Sequence, residues 1–179
     1  MEEQVFIARL LDPATQNAAF QKLINDYQRP LYNHIRNIVL DHDDTDDVLQ
    51  NTFIKVFRHL NGFKGESKLF SWVYRIATNE AITFINQKAK RRGVSIDDLQ
   101  NSYTSQLKAD IHFDGDEIQI KLQKAIALLP QKQQLVFKMK YFEEIKYEDM
   151  SEILDTSVGA LKASYHHAVK KIENYLTEN

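Results

Sequence analysis

FKGESKLFSWVYRIATNEAITFINQKAKRR, residues 63–92, is the stretch on which the reading of the whole chain turns. It opens with a short polar loop, runs into a helix from about 68 to 90, and closes on the basic cluster Lys88, Lys90, Arg91 and Arg92. Phe70, Val73, Ala77, Ala81 and Phe84 recur at three- and four-residue spacing, which predicts a buried helical stripe. The other face reads Trp72, Arg75, Asn79, Thr83, Asn86 and Lys90, with Glu80 its one acid. A solvated face normally carries Glu and Lys; this one mixes an aromatic, amides and cations. Amides and guanidinium groups read base edges, aromatics stack on unpaired bases, and lysines neutralise phosphates. The pattern points to nucleic acid that is at least partly single-stranded.

Composition narrows the surroundings. Hydrophobic content of 43% supplies a core, and 11% aromatic content argues against disorder. Cysteine is absent, so disulfides and thiolate metal sites are excluded, which fits a reducing cytoplasm. No apolar run approaches the ~20 residues of a membrane span. The N-terminus, MEEQVFIARLLDP, lacks the basic region of a signal peptide. With only 5 Gly and 3 Pro, long helices are expected. The net charge of -2 hides local clustering. Residues 94–117 carry 1 Lys+Arg against 6 Asp+Glu, whereas residues 1–93 carry 13 against 11 and residues 118–179 carry 9 against 8.

Working outward, residues 3–11 predict a short helix before Asp12-Pro13. Phe20, Leu23, Ile24 and Tyr27 share a face of a second, over 16–28, and Pro30 marks a boundary or first turn before Leu31, Ile35, Ile38 and Val39. The acids of Asp41–Asp47 suit a helix N-terminus. The helix that follows, 46–60, turns Val48, Leu49, Phe53, Val56, Phe57 and Leu60 inward. Gly62 ends it, and Gly93 ends the first domain. Residues 94–117 lose helical periodicity and read as a flexible acidic linker, although Ile96, Leu99, Leu107, Ile111 and Phe113 could dock on something. Beyond it, helix 117–129 turns Ile118, Leu122, Ala125, Ile126 and Leu129 inward, and Gln131–Tyr141 forms another. A short helix at 146–154, a turn Asp155-Thr156-Ser157 and a longer helix from Val158 read as a helix-turn-helix. The last helix buries Leu161, Tyr165, Ala168, Ile172 and Tyr175 and shows Gly159, Lys162, Ala163, His166 and Lys170 outside. No strand-like alternation appears. The expectation is an all-α chain of two small helical domains, 1–93 and 118–179, joined by the flexible acidic linker 94–117.

Taken together, these pieces resemble a sigma-70 family RNA polymerase sigma factor of the extracytoplasmic function (ECF) type. The resemblance rests on DDVLQNTFIKVFRHL at 46–60, FKGESKLFSWVYRIATN at 63–79 and the basic run after AITFINQ. LLPQKQQLVFKMKYFEEIKYEDMSEIL at 128–154 and SVGALKASYHHAVKKI at 157–172 complete it. Any one piece is a weak signal; the ordered set at this spacing is specific. The resemblance implies that helix 46–60 docks on the β′ clamp helices of core RNA polymerase, through Asp46, Asp47, Gln50, Asn51, Ile54 and Arg58. It implies that promoter DNA at the −10 element is recognised and melted by Lys64, Gly65, Glu66, Ser67, Lys68, Trp72, Arg75, Asn79, Lys88, Lys90, Arg91 and Arg92. The loop ahead of the helix would hold a flipped-out base. The −35 element would be read by Ser157, Val158, Gly159, Lys162, Ala163, His166, Lys170 and Lys171, in a domain that also touches the β flap. The linker would thread the polymerase cleft, and an anti-sigma factor, often membrane-bound in this family, is a further implied partner.

Two departures qualify the resemblance. Asp155 stands where many relatives have a turn glycine, and residues 118–179 contain no arginine, leaving Lys162, His166, Lys170 and Lys171 to meet phosphate. His34, His42 and Asp41–Asp47 offer metal-ligand chemistry, but no helical His-x-x-x-His pair frames the acids, and a helix cap explains them. His166-His167 point apart on a helix. No nucleophile motif, phosphate loop or carboxylate pair stands out, so no catalytic residue, metal or cofactor is expected. The alternative function is a stand-alone helix-turn-helix regulator that binds operator DNA without polymerase; the 46–60 and 63–79 pieces have no use in one.

Overall fold

The computed structural model describes residues 2–106 and 116–178. Among them the chain forms nine α-helices and no strand. They are α1 (Glu2–Leu11), α2 (Gln16–Val39), α3 (His42–His59), α4 (Leu69–Arg92), α5 (Ile96–Gln106), α6 (Glu117–Ala127), α7 (Gln131–Tyr141), α8 (Tyr147–Leu154) and α9 (Val158–Glu178). A 3-10 turn, Leu60–Gly62, follows α3. Met1–Phe84 with Glu152–Leu154 form one compact unit, and Ile85–Ser151 with Asp155–Asn179 form another.

In the first unit, α2 continues past Pro30, where the sequence suggested a boundary. The interior proline forfeits a backbone hydrogen bond; burial of Leu23, Leu31, Ile35 and Val39 on both sides of it holds the helix together. The helix stops at Leu40, which takes φ 68 and returns its N–H to Arg36 O. Asp41 then caps α3, its carboxylate accepting the Asp44 N–H at 3.0 Å, with Asp43 and Asp44 in the first turn. The acid run is therefore used by the helix itself. Buried His34 ties α2 to α4. Thr78 Oγ1 donates its one proton to Tyr74 O, so at 2.7 Å it accepts from His34 Nε2–H. Phe57, expected inward, is 42% exposed with its ring edge-on to Phe20 at 4.9 Å. Heptad-like spacing placed it at the edge of the stripe, where a long side chain reaches solvent.

In the second unit, Ala125, Ile126, Leu129, Phe137, Ala168 and Ile172 form the core between α6, α7 and α9. Ile118, expected inward, is 70% exposed, because the first turn of α6 precedes that core. The linker reading needs a larger correction: Ile96–Gln106 is helical. Ser95 Oγ accepts the Asp98 N–H at 3.0 Å and donates to the Asp98 carboxylate at 2.7 Å, a reciprocal cap. Leu99 packs on Ile85 and Ala89, with Ile96 and Tyr103 around them. The buried Gln100 amide oxygen accepts from Gln134 Nε2 at 2.7 Å, and the same nitrogen reaches Leu129 O at 2.9 Å. Of the other apolar residues named for docking, Leu107, Ile111 and Phe113 lie outside the described residues. Gly93, at φ +66, closes α4, with Val94 N–H returning to Ala89 O.

Candidate nucleic-acid interface

Helix α3 presents Asp47, Gln50, Asn51, Ile54 and Arg58 to solvent along one side. Asp46 is also exposed, its carboxylate 3.7 Å from His42 Nε2. The sequence missed Phe57 here: three residues beyond Ile54, it adds a second exposed apolar side chain to the row. The result is an exposed strip of mixed polar and apolar side chains.

The loop before α4 is held at both ends. Phe63 is buried, donates its N–H to Leu60 O at 3.0 Å, and sets its ring 4.8 Å from that of Trp72. At the far end the Leu69 N–H donates to the Glu3 carboxylate at 2.6 Å. Between them Lys64, Gly65, Glu66 and Lys68 are exposed and Ser67 is half-buried. Gly65 takes φ +70, a left-handed conformation that favours glycine. Trp72 is half-buried against Phe63, and Arg75 and Asn79 follow it into solvent at one-turn intervals. Glu80, the acid on this face, is ion-paired with Lys55 of α3. The face therefore offers one stackable ring, a guanidinium and an amide, with its negative charge compensated.

An open cleft of about 700 Å³ lies between α1, α2 and the start of α4, walled by Phe6, Tyr27, Leu69 and Phe70. Burial, reinforced by the charges of Glu3 and Asp26, raises the Tyr27 phenol to about 12. It is a neutral hydrogen-bonding group at any physiological pH.

At the end of α4, Lys90, Arg91 and Arg92 are exposed. Lys88 is drawn aside, its ammonium 5.3 Å from the centre of the Tyr103 ring. In the helix-turn-helix, Asp155 adopts φ 50 and ψ 48, the left-handed geometry that a glycine would otherwise supply. Ser157 Oγ accepts the Ala160 N–H at 3.2 Å, starting α9. Gly159, Lys162, Ala163, His166 and Lys170 are exposed and Val158 is half-buried. Lys171 is not gathered with them: its ammonium donates to Gln133 Oε1 of α7 at 3.1 Å. A feature the sequence did not signal is Tyr147 at the start of α8. Lys140 and Lys162 place their ammonium groups 4.7 Å and 5.7 Å from its ring. Burial and then neighbouring Tyr165 raise its phenol pKa. Among the described residues no three His, Asp or Glu side chains gather as a metal-ligand set.

Comparison with known proteins agrees with this layout. Residues 23–91 match the family model for sigma-70 region 2, and residues 119–172 match that for sigma-70 region 4. The chain is 28% identical over 184 residues to the ECF RNA polymerase sigma-E factor of Haemophilus influenzae, covering 97% of each chain. It is 28% identical over 166 residues to the RNA polymerase sigma-H factor of Pseudomonas aeruginosa, covering 88% of this chain and 86% of that one. The fold matches CnrH, solved in complex with the cytosolic domain of CnrY, with a TM-score of 0.71 at 17% identity over 99% of this chain and 98% of that one. It also matches the sigma factor RpoE of Bartonella quintana, solved with the anti-sigma factor NepR, with a TM-score of 0.65 at 17% identity over 88% and 96%. The two region models in order, with full-length relatives of one kind, establish that the chain belongs to the sigma-70 family as a sigma factor of the ECF type, which directs RNA polymerase to promoters.

Proposed function

We propose a division of labour between the surfaces of this sigma factor. The α3 strip of Asp46, Asp47, Gln50, Asn51, Ile54 and Arg58, extended by Phe57, docks on the β′ clamp helices of core polymerase. The loop Lys64–Lys68 captures an unstacked base of the −10 element, with Trp72, Arg75 and Asn79 as its wall. The exposed face of α9 reads the −35 element, with Tyr147, Lys140 and Lys162 at its flank. No catalytic step is assigned to the chain; bond-making belongs to the polymerase. The observation that carries the reading is the loop itself: exposed across its crown, anchored at both ends, and set beside a half-exposed tryptophan.

The energetics suit melting without a nucleotide fuel. Extruding a base costs about a few kcal/mol, and stacking on an aromatic returns ~1–3 kcal/mol per base. A chain of this family works in the cytoplasm, and none of the described helices is long and apolar enough to cross a membrane. An anti-sigma factor of the kind seen with the Bartonella protein is a proposed partner. Run-off transcription with core polymerase tests the assignment. Substituting residues 64–68 should change −10 base preference while leaving core affinity intact; a loss of core affinity with unchanged preference would sink the loop's role.

A further inference from the structure

We infer that Glu3 is a positioning residue for the base-capturing loop: from α1, it supplies the N-terminal cap that α4 lacks in its own sequence. The inference deepens the reading of Lys64–Lys68 given above and rests on it. Helix α4 begins at Leu69, so Lys68 stands in the capping position, where its carbonyl accepts the Trp72 N–H at 3.1 Å. Caps are side chains that accept hydrogen bonds. A lysine side chain has donors only, and its positive charge is unfavourable at a helix N-terminus.

The Glu3 carboxylate meets both needs. It accepts the Leu69 N–H at 2.6 Å across 66 residues of sequence, and a carboxylate acceptor makes the bond charge-assisted. Its negative charge lies where the helix dipole favours one. The other end of α1 is fixed: Leu10 is buried, Thr15 Oγ1 donates to Arg9 O at 2.8 Å, and Gln16 Nε2 donates to Leu10 O at 2.9 Å. Glu3 therefore hangs from an anchored lever. With Phe63 buried at the opposite end, the loop's exposed crown is preset before any base arrives. A loop free at Leu69 would have to be ordered on capture, and that entropy would be subtracted from binding.

The test uses the full chain with core polymerase. Its promoter is recovered by selecting a randomised duplex library for run-off with the wild-type holoenzyme. The readout is the ratio of open-complex formation on the selected promoter to that on promoters altered at single −10 positions. Glu3→Ala should reduce that discrimination about three- to tenfold, with core affinity unchanged. Glu3→Gln, which keeps an acceptor without the charge, should fall between. Full discrimination in Glu3→Ala overturns the inference. Glu66→Ala keeps the two claims separable. If it alters discrimination and Glu3→Ala does not, only the role of Glu3 falls. If it leaves discrimination untouched, the loop reading itself fails, and this inference with it.

Discussion

Gly65 shows how a single backbone angle constrains the candidate site. Its φ of +70 is strained for any side chain, yet a Cβ built there meets nothing within 4 Å. The whole cost of Gly65→Ala is therefore conformational, and it should lower stability by about 1 kcal/mol in thermal unfolding. A substantially larger loss would mean that the residue does more than turn the chain. Asp155 solves the same problem differently in the helix-turn-helix, holding φ 50 with a carboxylate still attached. Tyr27 adds a pH dependence. Its phenol is raised to about 12, above the ordinary 10.0 expected when unfolded. Below pH 10 both states keep the proton and the contribution is fully present. Between about 10 and 12 the unfolded chain gives up its proton first, so stability is lost as pH rises. Urea unfolding across that window should show a decline that Tyr27→Phe flattens.

At the level of elements, α3 is the decisive case. Its proposed docking residues are exposed and its stability comes from Val48, Thr52 and Val56 on the buried side. Changing Asp47 and Gln50 together should weaken core binding at least tenfold while the helical circular dichroism stays unchanged; equal core affinity would remove α3 from the interface. The helices that could be read from sequence are those whose stripes decide their burial locally. Val73, Ala77 and Ala81 in α4 and Leu161, Ala168 and Ile172 in α9 are buried as their spacing predicts. Helix α5 was hidden because the acidic, serine-rich composition of 94–117 outweighed its local signals, the Ser95–Asp98 cap and the short stripe Ile96, Leu99, Tyr103. Its remaining support is tertiary: Leu99 on Ile85 and Ala89, and Gln100 on Gln134. Tertiary reach also explains what was missed at the site. Glu3 acts on a helix far along the chain, and Tyr147 acquires its two ammonium neighbours only on folding. No window of sequence joins Glu3 to Leu69 or Lys162 to its partner ring.

For the molecule as a whole, a net charge of -2 makes promoter binding a matter of local cations. Raising salt should weaken holoenzyme binding to promoter DNA along a straight line in log affinity against log salt, because phosphate contacts release counterions. A slope near zero would remove Lys90, Arg91, Arg92, Lys162 and Lys170 from the contact. The pair between Lys55 and Glu80 adds an interlock to this picture. Lys55 flanks the proposed docking strip on α3, and Glu80 belongs to the proposed DNA face of α4. An acidic group on a docked partner that recruits Lys55 would unmask Glu80 and repel phosphate, so binding at one surface sets the charge of the other. On that proposal the two occupancies would be linked through one exposed lysine, by under about 1 kcal/mol and screened by salt. Lys55→Ala should weaken open-complex formation at low salt, and Glu80→Gln in the same chain should restore it. A promoter complex indifferent to both changes would show that the surfaces act independently.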